Sequence, residues 1–215
     1  MQQRAIRYNF TVIEGNIGAG KTTLAQKLAV DYNARLILEQ FAENPFLPKF
    51  YAEPEKHAFP LELSFLAERY QQLKSELGNQ DLFKPNLISD YFFLKSLIFA
   101  QANLGSDEFS LYSKLFHIIN DSLPKPDLFV YLYHDIERLQ ENIKKRGRAY
   151  EQGISNEYLL KIQTAYFDFI KQLTDLRILV IDVNNVDFAN NKNHYEQVLE
   201  IINNPYEVGI NRVVL

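Results

Sequence analysis

Residues 15–22 read Gly15-Asn16-Ile17-Gly18-Ala19-Gly20-Lys21-Thr22, which satisfies G-x-x-x-x-G-K-[ST] at every fixed position. The glycines let successive backbone N–H groups turn inward around a phosphate. Lys21 is placed to reach β- and γ-phosphates, and the Thr22 hydroxyl is placed to hold Mg²⁺. The flanks agree with this reading. Residues 10–13 (Phe-Thr-Val-Ile) are a short apolar, β-branched run that predicts a buried strand. Residues 22–32 set Leu24, Ala25 and Leu28 on one helical face. A strand that runs through a glycine turn into a helix brings the helix N-terminus onto the same anion. The candidate ligand is ATP with Mg²⁺, held by Gly15, Asn16, Ile17, Gly18, Ala19, Gly20, Lys21, Thr22 and Thr23.

Four further strands are predicted, at residues 34–39, 86–90, 127–132 and 177–182, each short, apolar and followed by polar residues. Helical patterns separate them at 61–77, 92–104, 108–123, 136–145, 156–173 and 193–203. The 92–104 segment is apolar nearly all round, which predicts either core or a subunit interface. Such alternation implies a parallel sheet wrapped by helices, an α/β fold. The 215 residues suit one domain over 1–215, and 47% apolar content can fill its core. A net charge of −4 argues against nucleic acid or an anionic membrane as partner. The absence of cysteine excludes disulfides, thiolate nucleophiles and cysteine zinc sites. No run approaches the ~18 apolar residues of a membrane span. A soluble, cytoplasmic protein is the expectation.

Carboxylates stand where chemistry would need them. Glu39 falls at the carboxyl end of the second predicted strand, the edge that faces the ligand crevice in open parallel sheets. There it can accept a proton from an attacking hydroxyl. Asp90 ends the third strand, where it can hold Mg²⁺ or cap the following helix. Arg146 and Arg148 follow a helix, and Glu151 comes soon after. Two arginines there suit closure over a phosphoryl group, or simply complement a helix C-terminus. The four histidines have no metal-ligand spacing.

An ordered set of motifs is similar to that of the deoxynucleoside kinases. It comprises the Gly15–Thr23 loop, Asn44-Pro45-Phe46-Leu47-Pro48-Lys49-Phe50-Tyr51, Phe65-Leu66-Ala67-Glu68-Arg69, and Arg146-Gly147-Arg148-Ala149-Tyr150-Glu151-Gln152-Gly153-Ile154. The resemblance runs over about residues 9–185. It implies a five-stranded parallel sheet of the thymidylate-kinase type, a homodimer, and transfer of the ATP γ-phosphate to the 5′-hydroxyl of a deoxynucleoside. By that likeness Glu39 is the general base, Arg146 and Arg148 are arginines of a lid over 146–154, and Glu151 contacts the sugar. Tyr51 stands near the 3′-hydroxyl, Arg69 is a substrate-site arginine, and Phe59 and Leu61 lie near the base.

Two departures carry information. Where the family has an acidic-Arg-Ser motif, this chain has Ser89-Asp90-Tyr91, so an arginine is missing; Lys95 follows one helical turn later. Glu62 stands where the family has a base-reading Gln. A carboxylate offers acceptors only, which suits the paired donors of guanine N1–H and its exocyclic amine. The expected substrate is therefore a purine deoxynucleoside, deoxyguanosine before deoxyadenosine. The rival readings are a nucleoside monophosphate kinase of the thymidylate type, a GTPase-like switch, and a non-catalytic nucleotide-binding regulatory subunit. The switch lacks its base-reading Asn-Lys-x-Asp, because Asn191-Lys192-Asn193 is followed by His194.

Overall fold

The structure, a computed structural model, describes residues 6–40, 44–78 and 83–215. The expected domain of 1–215 includes residues 1–5, 41–43 and 79–82, which lie outside the described residues. In chain order the elements are β1 (Phe10–Gly15), α1 (Lys21–Asp31), β2 (Arg35–Ile37), α2 (Leu47–Ala52), α3 (Pro54–Gly78), β3 (Leu87–Ser89) and α4 (Lys95–Asn103). They continue with α5 (Ser106–Asn120), β4 (Leu128–Tyr133), α6 (Ile136–Arg146), α7 (Asn156–Ile170), β5 (Arg177–Asp182), α8 (Lys192–Ile202) and β6 (Gly209–Val214).

The strands form one parallel sheet in the order β2-β3-β1-β4-β5-β6. This corrects the expected count of five strands to six. The added strand, β6, pairs with β5 from Arg177↔Gly209 to Asp182↔Val214. Its sequence, Gly-Ile-Asn-Arg-Val-Val, is too polar to announce a buried strand. Pairing with β5 organises it, and as an edge strand it needs only one apolar face.

Side-chain alternation divides the core into two layers. Ile13, Val130, Leu132, Leu179 and Ile181 face α1, α6 and α8, together with Leu24, Leu28, Leu139 and Val198. Val12, Phe129, Tyr131, Ile178 and Val180 face the opposite layer, with Leu66, Phe93, Ile98, Phe116 and Tyr166. The apolar segment from 92 resolves as core. Helix α4 packs against α3, α5 and α7 and buries Leu97, Ile98, Ala100 and Ala102. Helix α3 starts earlier than the periodicity predicts and carries Pro60 within it.

Chain connectivity sets the site. From β1 the chain moves to β2 and β3 on one side, then crosses to β4 on the other. The reversal falls at β1, where open α/β sheets leave a crevice beyond the strands' carboxyl ends. The loop after β1 occupies that position. Gly18 holds it there with φ +84°, and a Cβ at this residue would lie 2.8 Å from the Leu139 carbonyl oxygen of α6. Gly18→Ala should therefore cost roughly 2–3 kcal/mol in urea denaturation without nucleotide. Gly153→Ala, with nothing near its Cβ position, should stay within about 0.5 kcal/mol of the parent.

Candidate active site

The loop between β1 and α1 is closed on its own lysine. Lys21 Nζ donates to the carbonyl oxygens of Gly15 and Asn16, both at 2.9 Å. Asn16 pins the loop to the opposite wall by donating from Nδ2 to the Leu159 carbonyl at 2.8 Å. Burial, and then the nearby Lys95 ammonium, push Lys21 down to about 8.

Asp90 ties three strand ends together. Its Oδ2 accepts from the Thr22 hydroxyl at 2.5 Å, and its Oδ1 accepts from the Glu39 backbone N–H at 2.7 Å. One carboxylate thus fixes the start of α1 and the segment after β2 from its own place after β3. The hydroxyl and carboxylate side by side form a hard-oxygen pair of the kind Mg²⁺ takes, with water and phosphate completing its shell. No cluster of three or more acidic or histidine side chains suited to a metal occurs among the described residues.

Glu39 is the centre of charge. Its Oε1 accepts from Arg69 Nε at 2.9 Å and Arg69 Nη2 at 2.6 Å. Its Oε2 accepts from Lys95 Nζ at 2.5 Å. Burial alone would raise its pKa, but the Lys95 ammonium and the Arg69 guanidinium override that and hold it at about 2. Arg69 also donates to Ser96 Oγ at 2.9 Å and lies over the Phe65 ring. For Arg69, burial opposes the charge while Glu39 and Glu62 sustain it, and the net shift is above the ordinary value.

Two cavities meet here. One, of about 720 Å³, is lined by Glu39, Tyr51, Leu61, Glu62, Arg69, Lys95 and Glu151, among others. The second, of about 1230 Å³, runs along Gly18, Gly20, Thr23, Arg138, Lys145, Phe188 and Asn190. Both are lined by Lys21, Thr22, Arg146 and Arg148. The loop residues and both arginines therefore stand at a junction between a polar groove and a separate, partly aromatic pocket.

Most of the residues singled out from sequence converge. Arg146 and Arg148 both donate to Glu151, Arg148 at 3.2 Å. Tyr51 stacks on Tyr150 with ring centroids 6.1 Å apart. Phe59 does not line the cavity; Phe50 and Phe65 do. On α3, Phe59 sits about 100° round the helix from the stripe of Leu61, Glu62, Phe65 and Arg69. Glu62 lies deep in the pocket at 1% exposure. Its Oε1 accepts from Asn103 Nδ2 at 2.8 Å, and its Oε2 is buried without a partner among the described residues. Burial raises Glu62 to about 7 against the pull of Arg69 and the Asn103 hydrogen bond. Sequence reasoning missed Asn103 and Tyr158, which reach the pocket from α4 and α7, and Arg138 and Phe188 in the other groove. None of these carries a local motif. The Asn191 of the rejected switch motif caps α8, accepting from the N–H groups of Asn193 and His194.

Comparison with known proteins agrees with this geometry. The sequence model of the deoxynucleoside kinase family matches residues 11–206. The chain is 37% identical over 193 residues to a deoxyguanosine kinase of Bacillus subtilis (strain 168), covering 88% of this chain and 93% of that protein. It is 32% identical over 213 residues to a deoxyadenosine kinase of Dictyostelium discoideum, covering 96% of this chain and 83% of that protein. Among solved structures, deoxyadenosine kinase from M. mycoides with bound dATP superposes with a TM-score of 0.77 at 26% identity, over 90% of this chain and 99% of that one. An α/β fold with a phosphate-binding loop at its switch point, a buried carboxylate facing that loop and a family match along most of the length lead to one assignment: this chain belongs to the deoxynucleoside kinase family.

Proposed function

We propose that the chain transfers the γ-phosphate of ATP to the 5′-hydroxyl of purine deoxynucleosides, deoxyguanosine ahead of deoxyadenosine. The observation that carries this is the pair of cavities joined at Lys21, Thr22, Arg146 and Arg148, with Glu39 on the acceptor side. Under this reading the groove takes ATP and the pocket takes the nucleoside. Thr22 and Asp90 would hold Mg²⁺, which neutralises charge on the phosphates when bound. A single catalytic domain, a homodimer and a cytoplasmic setting complete the proposal; the described helices include none long and apolar enough to cross a membrane.

The residues divide the work. The 5′-hydroxyl donates to Glu39. A carboxylate held near 2 is a weak base, so the proton moves late, once the new O–P bond has made the hydroxyl acidic. Arg146 and Arg148 leave Glu151 for the phosphoryl oxygens, and their closure excludes water. Tyr51 and Glu151 face the sugar, and Arg69 fixes Glu39 from behind.

Glu62 reads the base. Ionised, it presents only acceptors, which match guanine N1–H and the exocyclic amine. Protonated, it pairs one donor with one acceptor, which matches adenine. A polar site left unpaired by the wrong base discriminates strongly.

Three measurements test this. Glu39→Gln should lower kcat by about 10²–10⁴-fold while ATP affinity stays within about threefold; near-normal turnover overturns the base assignment. The deoxyguanosine-to-deoxyadenosine ratio of kcat/KM should climb between pH 6 and 8 as Glu62 ionises near 7, and Glu62→Gln should flatten it toward deoxyadenosine. A ratio independent of pH in the parent would remove Glu62 from base reading. The third test is stability. The Glu62 carboxyl binds its proton more tightly when folded (about 7) than at its ordinary 4.5, so its contribution becomes unfavourable as pH rises through that window. Glu62→Gln should stabilise the ligand-free protein by roughly 1–3 kcal/mol at pH 8, with little effect at pH 4. Assay of the purified chain alone addresses the regulatory-subunit alternative, since a non-catalytic subunit forms no deoxynucleoside monophosphate. Deoxyguanosine compared with its monophosphate as acceptor addresses the monophosphate kinase.

A further inference from the structure

Lys95 is placed for more than holding a counterion. A carboxylate oxygen has two lone pairs. On Glu39, Oε1 uses both on Arg69, and Oε2 uses one on Lys95. The open position is on Oε2, so a hydroxyl that docks on Glu39 must sit beside Lys95. With Nζ 2.5 Å from Oε2, a hydroxyl oxygen on the other lone pair of the same atom lies roughly 4–4.5 Å from the ammonium. Lys95 has three N–H donors and gives one to Glu39; it makes no other hydrogen bond among the described residues.

Besides pairing with Glu39, the ammonium lies over the Phe99 ring, 5.4 Å from its centroid. It is 7% exposed and is the first residue of α4. A cation there opposes the helix dipole, whose positive end lies at the N-terminus. It also lies close enough to Lys21 to depress that lysine's pKa. The turn before it is fixed by Glu14, which accepts from the Phe92 N–H at 2.8 Å and the Tyr166 hydroxyl at 2.9 Å. Glu39 and Glu14 already offset the charges of Lys95 and Lys21, and an anion bound within reach of both ammoniums would gain from each.

Building on the proposed reaction, we infer that Lys95 is a catalytic cation of the transfer step, binding an equatorial oxygen of the moving phosphoryl group from the acceptor side while it keeps Glu39 in place. The O5′–P bond forms, the bond from phosphorus to the β,γ-bridging oxygen breaks with its electron pair going to ADP, and the 5′-hydroxyl proton passes to Glu39 Oε2. Lys21 serves the leaving side of the phosphorus and Lys95 the entering side. Helix α4 thereby supplies the charge that an arginine directly after β3 would otherwise bring.

The test must separate this from mere support of Glu39. Lys95→Gln keeps a side-chain N–H for Oε2 but removes the charge. It should lower kcat at least about 100-fold while deoxyguanosine and ATP each bind within about threefold of the parent. Affinity for the complex of Mg·ADP, aluminium fluoride and deoxyguanosine, which imitates the planar phosphoryl group, should fall by a similar factor. Lys95→Arg should recover most of the loss. A Gln enzyme within about fivefold of the parent, or one that keeps the aluminium fluoride affinity, overturns the proposal. If Lys95→Gln does not fold, a folded Lys95→Arg enzyme more than about a hundredfold slower than the parent overturns it instead, and one within about tenfold supports it. Should the parent chain prefer another deoxynucleoside, the purine reading fails alone, and the same comparison runs with the preferred acceptor.

Discussion

Glu39 is an anion with only 9% of its side chain exposed, and it stays ionised because Arg69 and Lys95 converge on it from two different helices. Among the described residues neither cation forms another ion pair, so one carboxylate ties the segment after β2 to both α3 and α4. Buried ion pairs of this kind add little net stability over an apolar core, but removal of one member strands the others at a cost of about 3–5 kcal/mol. The arrangement therefore specifies geometry more than it strengthens the fold. Asp90 joins the segment that carries Glu39 to the loop after β1 through Thr22, so the position proposed for the acceptor hydroxyl is coupled to that loop.

The parts of the site that were legible in the sequence are those in which local chain geometry and chemistry coincide. The loop of residues 15–22 needs only its own glycines and the start of α1 to take shape. Glu39 and Asp90 could be placed because a short apolar strand ends just before each. What stayed hidden depends on contacts between distant segments. The register of β6 exists only against β5. Asn103 meets Glu62 only because α4 packs on α3. Lys95 stands out in sequence through its place one turn after the missing arginine, but nothing local says that it will bond Glu39 from 56 residues away. Phe59 illustrates the opposite error: it lies near Glu62 in sequence, yet the helix turns it off the stripe that lines the pocket.

Charge is graded from one end of the acceptor pocket to the other. Near the phosphate loop, cations hold Glu39 at about 2; at the far end, burial lifts Glu62 to about 7. The two glutamates differ through surroundings, not chemical type. Arg69 links them, bonded to the first and electrostatically felt by the second. The same residue type thus stands at one end of the pocket as a fixed anion and at the other as a group whose donor pattern can change.

The hold of Lys21 on the Gly15 and Asn16 carbonyls bears on which anions the loop would accept. An ion that enters must offer the ammonium more than two backbone oxygens already do, and must also satisfy the N–H groups that line the loop. A lone inorganic phosphate meets part of that demand. A polyphosphate chain meets it at several points together. Under the proposed function the lysine thus acts as a threshold, screening anions by how many charges they present in a row.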